Sequence, residues 1–163
     1  MRDKTFRTGL IILATVAAAS FSQGIIKPLF PLKNGYASPD SIPEHQKELF
    51  VDASHQAVGW IVFKWQGIAV KRARTAMLML YIKSVLKPGL CGIHTLMAKI
   101  TIPEKNVKPK DLKFDDMPIA SVPLDSMFAD QILLLDVTEL IKSKTLKGIA
   151  IRPINGLSAV FTS

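Results

Sequence analysis

From Leu49 to the end of the chain, short runs rich in Val, Ile, Leu, Phe and Trp alternate with Gly, Pro, Asp and Lys. Seven of them read as strands: Val58 to Trp65, Thr75 to Ser84, Leu90 to Ala98, Ile119 to Val122, Gln131 to Val137, Lys147 to Arg152 and Ser158 to Thr162. Runs this short and this evenly punctuated predict an all-β sandwich or barrel. In the first run the strand period puts Ile61, Phe63 and Trp65 on one face and Trp60, Val62 and Lys64 on the other. One segment breaks the pattern. Asp136 is placed to cap a helical turn and Glu139, three residues on, to return the hydrogen bond, which predicts one or two turns of helix. Lys142, Lys144 and Lys147 near its end suit the helix dipole.

Before Leu49 the pattern is different. Residues 21 to 48 carry Pro28, Pro31, Pro39 and Pro43 with Gly24, Gly35 and Asn34, a spacing that disfavours both a long helix and a ladder-forming strand. They read as a linker or tail whose apolar members, Ile25, Ile26, Leu29, Phe30 and Leu32, pack on something. Further upstream, basic Met1 to Arg7 is followed by an apolar run from Gly9 to Ala19, the layout of a secretory signal peptide. Ala17 and Ala19 give a cleavage site before Ser20, and a second candidate lies at Gly35-Tyr36-Ala37. An uncleaved anchor is the alternative, but the run is shorter than the roughly 20 residues a spanning helix needs. The expected organisation is a signal peptide over 1–19, a tail over 20–48 and a sandwich module over 49–163, in a secreted, periplasmic or cell-surface protein.

Setting aside Arg2, Lys4, Arg7 and Asp3 reduces the 21 basic and 13 acidic residues to 18 and 12, a mature charge of +6. That balance favours anionic partners. The only cysteine, Cys91, excludes an intramolecular disulfide and falls in an apolar stretch where burial is expected. His45, His55 and His94 are scattered without metal-ligand spacing. Nucleophile-elbow and phosphate-loop motifs are absent, and Cys91 and His94 point to opposite faces of their strand. Asp115 and Asp116 read as a solvated turn. No enzyme activity and no cofactor are expected.

The order of the pieces resembles the DNRLRE-type carbohydrate-binding module family, secreted jelly-roll sandwiches often attached to polysaccharide-degrading enzymes. Phe63 to Ile68 is similar to the family's early L-R-F-D-L-S-x-I strand, with Gln66 in place of the Asp, and Ala76 to Ile82 to its S-A-T-L-R-L-Y-V. Ile93-His94-Thr95-Leu96 looks like the third strand's V-x-R-V. Asp136 to Ile141 followed by Gly148 to Arg152 is similar to D-V-T-x-L-V and G-x-A-L-R, and Val160 to Ser163 to S-F-Y-S. The resemblance covers Phe50 to the C-terminus and lacks a final strand. It implies a jelly-roll-like antiparallel β-sandwich, Trp65 in the core, and a non-catalytic carbohydrate-binding role.

Lys71, Arg72 and Arg74 lie between two strands, where three charges can converge on one anion. With Lys64 and Trp60 they form the candidate ligand site: the aromatic face for a sugar ring, the cations for its acidic groups. The expected partner is an acidic polysaccharide; nucleic acid is not expected. The alternative is a structural or interaction subunit of a surface assembly. In Thr75 to Ser84 the family match turns Ala76, Leu78, Leu80 and Ile82 inward, which leaves Met77, Met79 and Tyr81 outward. Likewise Leu133 and Leu135 point in while Ile132 and Leu134 point out. A strand apolar on both faces normally lies between two layers, so Met77, Met79, Ile132 and Leu134 are expected to meet the tail, a second copy or a partner protein.

Overall fold

The structure, a computed structural model, describes residues 9–14, 25–29, 31–39, 48–63, 73–97, 107–142 and 147–162. Its strands are β1 (Gly9–Ala14), β2 (Ile25–Leu29), β3 (Pro31–Ala37), β4 (Leu49–Asp52), β5 (Val58–Phe63), β6 (Ala73–Lys87), β7 (Gly89–Thr95), β8 (Ala120–Leu124), β9 (Gln131–Asp136), β10 (Gly148–Ile154) and β11 (Ser158–Thr162). One short helix, α1 (Thr138–Lys142), interrupts them. All pairings are antiparallel. One sheet runs β2-β1-β6-β11-β4 with β9 also on β6, and the other runs β3-β5-β10-β7-β8. The protein is an all-β sandwich.

The period-two reading of the strands is what builds the core. Ala76, Leu78, Leu80 and Ile82 of β6 are buried against Ile61 and Phe63 of β5, Ile149 and Ile151 of β10 and Cys91 and Ile93 of β7, with Phe161 between them. Leu133 and Leu135 pack against the same cluster, whereas Ile132 and Leu134 are 42% and 54% exposed. Each of the seven predicted runs falls on an observed strand, with ends that shift by a few residues.

Helix α1 is capped from the predicted residue. Asp136 accepts from the Thr138 backbone N–H at 2.9 Å and from its hydroxyl at 2.5 Å, which holds its carboxyl below the usual range. Glu139 does not return the bond; it accepts from Lys142 Nζ at 3.0 Å instead. Thr138 Oγ1 in turn accepts from the Ala76 backbone N–H at 2.8 Å, which ties the cap to β6.

The Pro-rich stretch departs from expectation, since β3 pairs with β5 from Pro31↔Phe63 to Ala37↔Val58. Both strands formed by this stretch lie at sheet edges, β2 at one end of its sheet and β3 at one end of the other. Pro31 is moreover the first residue of its strand, where a missing N–H costs no ladder bond. The second candidate cleavage site, Gly35-Tyr36-Ala37, lies within β3.

The registers also fix how β6 is shared. Met77 to Met79 pair with both β1 and β9, and Tyr81 and Ile82 pair with both β11 and β9. A strand has two edges, so β1 and β11 lie end to end along the edge of β6 opposite β9. The first half of that edge is therefore occupied by the apolar segment of the expected leader.

Candidate ligand-binding sites

Of the five candidate site residues, Lys64, Lys71 and Arg72 lie outside the described residues, as does Trp65. Arg74 stands exposed near the start of β6. It lines a cleft of about 430 Å³ with Ile119, Asp136, Val137, Thr138, Glu139, Leu140 and Lys142. Lys142 is drawn to Glu139, and Asp136 is engaged by Thr138. Arg74 has no carboxylate partner among the described residues.

Trp60 requires a correction. It faces away from the central core, as the strand period and the resemblance's placing of Trp65 in the core together imply, but it is 0% exposed and offers no free ring to a sugar. It sits in the other sheet from Arg74, packed with Ala37, Val58, Leu96 and Ala150. Val107 and Leu112 of the segment 107–114 complete the cluster, so that segment forms a third layer over this sheet. The ring lies over Gly35, where a Cβ would approach Trp60 Cζ2 to 3.3 Å. Its Nε1 is buried with no hydrogen-bond partner among the described residues.

The covering segment is stitched to β7. Met97 N–H donates to the Lys113 carbonyl at 2.8 Å and Asp115 N–H to the Thr95 carbonyl at 3.0 Å. His94, also on the outer face, lies 2.7 Å through Nδ1 from the Asp115 carbonyl. A carbonyl only accepts, so Nδ1 donates, while Nε2 is buried with no hydrogen-bond partner among the described residues. The His94 ring is tilted against Phe114 at 5.5 Å. Cys91 faces the opposite way, into the core, where burial pushes its thiol up to about 12. The two therefore do not form a nucleophile and base.

A second cleft, of about 320 Å³, opens between this segment and the β4–β5 turn and is lined by Ala53, Gln56, Val58, Pro109, Phe114, Arg152 and Pro153. Arg152 and Phe114 carry no local signature in the sequence, because their contact joins a strand to a distant loop. Asp52 holds the turn. Its carboxylate accepts from Ser54 Oγ at 2.5 Å and from the His55 backbone N–H at 2.8 Å. Burial opposes its ionisation, but hydrogen bonds from Ser158, Ser54 and His55 outweigh that and hold the carboxyl below its ordinary range.

A depressed folded-state value means that the unfolded chain binds the extra proton first, so this contribution is present above about pH 4 to 5 and is lost as pH falls. Asp52→Asn is expected to cost about 1–3 kcal/mol at neutral pH. Urea unfolding at pH 7 and at pH 3 checks this: the difference between variant and wild type should shrink at the lower pH.

Among the described residues no group of three or more His, Cys, Asp or Glu is arranged to hold a metal ion. Compared with known proteins, the chain matches no family model and no curated protein.

Proposed function

We propose that this chain is a non-catalytic extracellular module that binds an acidic polysaccharide. The observation that carries the reading is a pair of open clefts on a well-packed sandwich, each holding an arginine with no carboxylate partner among the described residues. The mature charge of +6 favours the same class of ligand. Recognition then consists of guanidinium groups meeting carboxylates, and no bond is made or broken. Lys71 and Arg72, which precede Arg74 in the sequence, add two further positive charges to the same segment.

The test is a binding titration with polygalacturonate and with an uncharged glucan at two salt concentrations. Exposed charges acting together lose strength as the Debye length falls below about 10 Å, its value at 0.1 M. Binding of the acidic polymer alone, weakened by salt and by about tenfold or more in the Lys71→Ala, Arg72→Ala, Arg74→Ala triple variant, is expected. Equal binding of both polymers, or of neither, would reject the proposal, as would turnover of either.

The second reading, a structural or interaction subunit of a surface assembly, is favoured by a different observation. Ile132 and Leu134 are exposed beside half-buried Met77 and Met79 on the outer face of the β6–β9 pair.

A further inference from the structure

Arg152 stands on β10 with its guanidinium carbon 4.7 Å from the centroid of the Phe114 ring. The residue is half-buried, and no carboxylate among the described residues pairs with it. Stacking uses the face of the guanidinium and leaves its five N–H donors, which lie in the plane of the group, available. The walls of the adjoining cleft include Val58, Pro109 and Pro153, and Gln56 stands at its rim. Carboxylates on the flanking turns are engaged elsewhere: Asp52 with Ser54 and His55, Asp111 with the Lys108 backbone N–H at 2.9 Å and Asp115 with the Met117 backbone N–H at 3.1 Å.

A pinned, planar, charged fork beside apolar walls matches one ligand chemistry best, a planar carboxylate held by two parallel hydrogen bonds. Apolar walls strengthen that contact by excluding water. A volume of about 320 Å³ is at the small end of ligand clefts, so it suits one ring rather than a length of chain. The exposed Gln56 amide has a donor and an acceptor to offer ring hydroxyls. The geometry points to Arg152 as the residue that grips the carboxylate of a single uronate unit, with Phe114 positioning it. This rests on the acidic-polysaccharide reading but assigns a cleft separate from that of Arg74.

The experiment is calorimetric titration of the full chain with tetragalacturonate and with its methyl ester, using wild type, Arg152→Gln, Arg152→Lys and Arg74→Gln. Arg152→Gln is expected to weaken tetragalacturonate binding about tenfold or more, and Arg152→Lys to restore only part of it because an ammonium lacks the fork. The ester should bind wild type about as weakly as the acid binds Arg152→Gln. Wild-type binding that Arg152→Gln leaves within twofold would overturn this cleft while the broader reading stands. Failure of wild type to bind either tetramer would overturn both. Should the variants not fold, amide shifts on wild type decide: movement at Gln56 and Phe114 supports the cleft, and movement confined to residues around Arg74 refutes it.

Discussion

Trp60→Ala is expected to destabilise the fold by about 3–5 kcal/mol, the range for emptying a buried aromatic site. Trp60→Phe is expected to cost much less. The alanine variant removes the side chain around which Ala37, Val58, Leu96, Val107, Leu112 and Ala150 close, and its cavity lies between a rigid sheet and a segment tied to β7 by backbone hydrogen bonds. Such a site collapses poorly. Phenylalanine keeps an aromatic ring and deletes an N–H that is buried with no partner among the described residues, so relief of that desolvation offsets part of the lost packing. Denaturant unfolding of the two variants separates a structural tryptophan from a ligand-binding one. Were Trp60 a sugar platform, both variants would stay near wild-type stability and lose glycan binding instead.

The contrast between Trp60 and β6 explains what could be read in advance. In β6 the strand period separates Ala76, Leu78, Leu80 and Ile82 from Met77, Met79 and Tyr81, the resemblance turns the first set inward, and the core forms on that face. The Asp136 cap is equally local, since donor and acceptor are two residues apart. For Trp60 the outer face is legible but its burial is not, because its cover comes from a Lys- and Pro-rich segment with only Val107, Leu112 and Phe114 to mark it as a layer. Pro31 signalled a break in a tail, yet edge position removes the penalty that makes proline a strand breaker. Arg152 was invisible as a site because β10 names its strand but not the loop that stacks on it. Non-local contacts carry the candidate clefts, and periodicity does not report them.

A chain begun at Ser20 is expected to associate in a concentration-dependent way through β6 and its outer face. Removal of the expected leader removes β1, which pairs with β6 from Gly9↔Met79 to Ala14↔Ala73. The same cut deprives β2 of the strand it pairs with among the described residues. The first half of one β6 edge then presents an unpaired row of N–H and C=O groups, the template that recruits another strand. Beside it, Met77 and Met79 are half-buried and Ile132 and Leu134 are 42% and 54% exposed. Fully burying such side chains yields about 1.5–3 kcal/mol each. Starting from half exposure, Ile132 and Leu134 together contribute about that much. Ile132→Thr with Leu134→Thr should therefore weaken association about 10- to 100-fold without moving the core, because neither residue belongs to it. Sedimentation equilibrium of both truncated chains, with dye binding as a measure of exposed apolar surface, checks the expectation. A truncated chain that stays monomeric and dye-negative at every concentration would show that the tail re-forms the missing edge within the same molecule and that this face recruits no second chain.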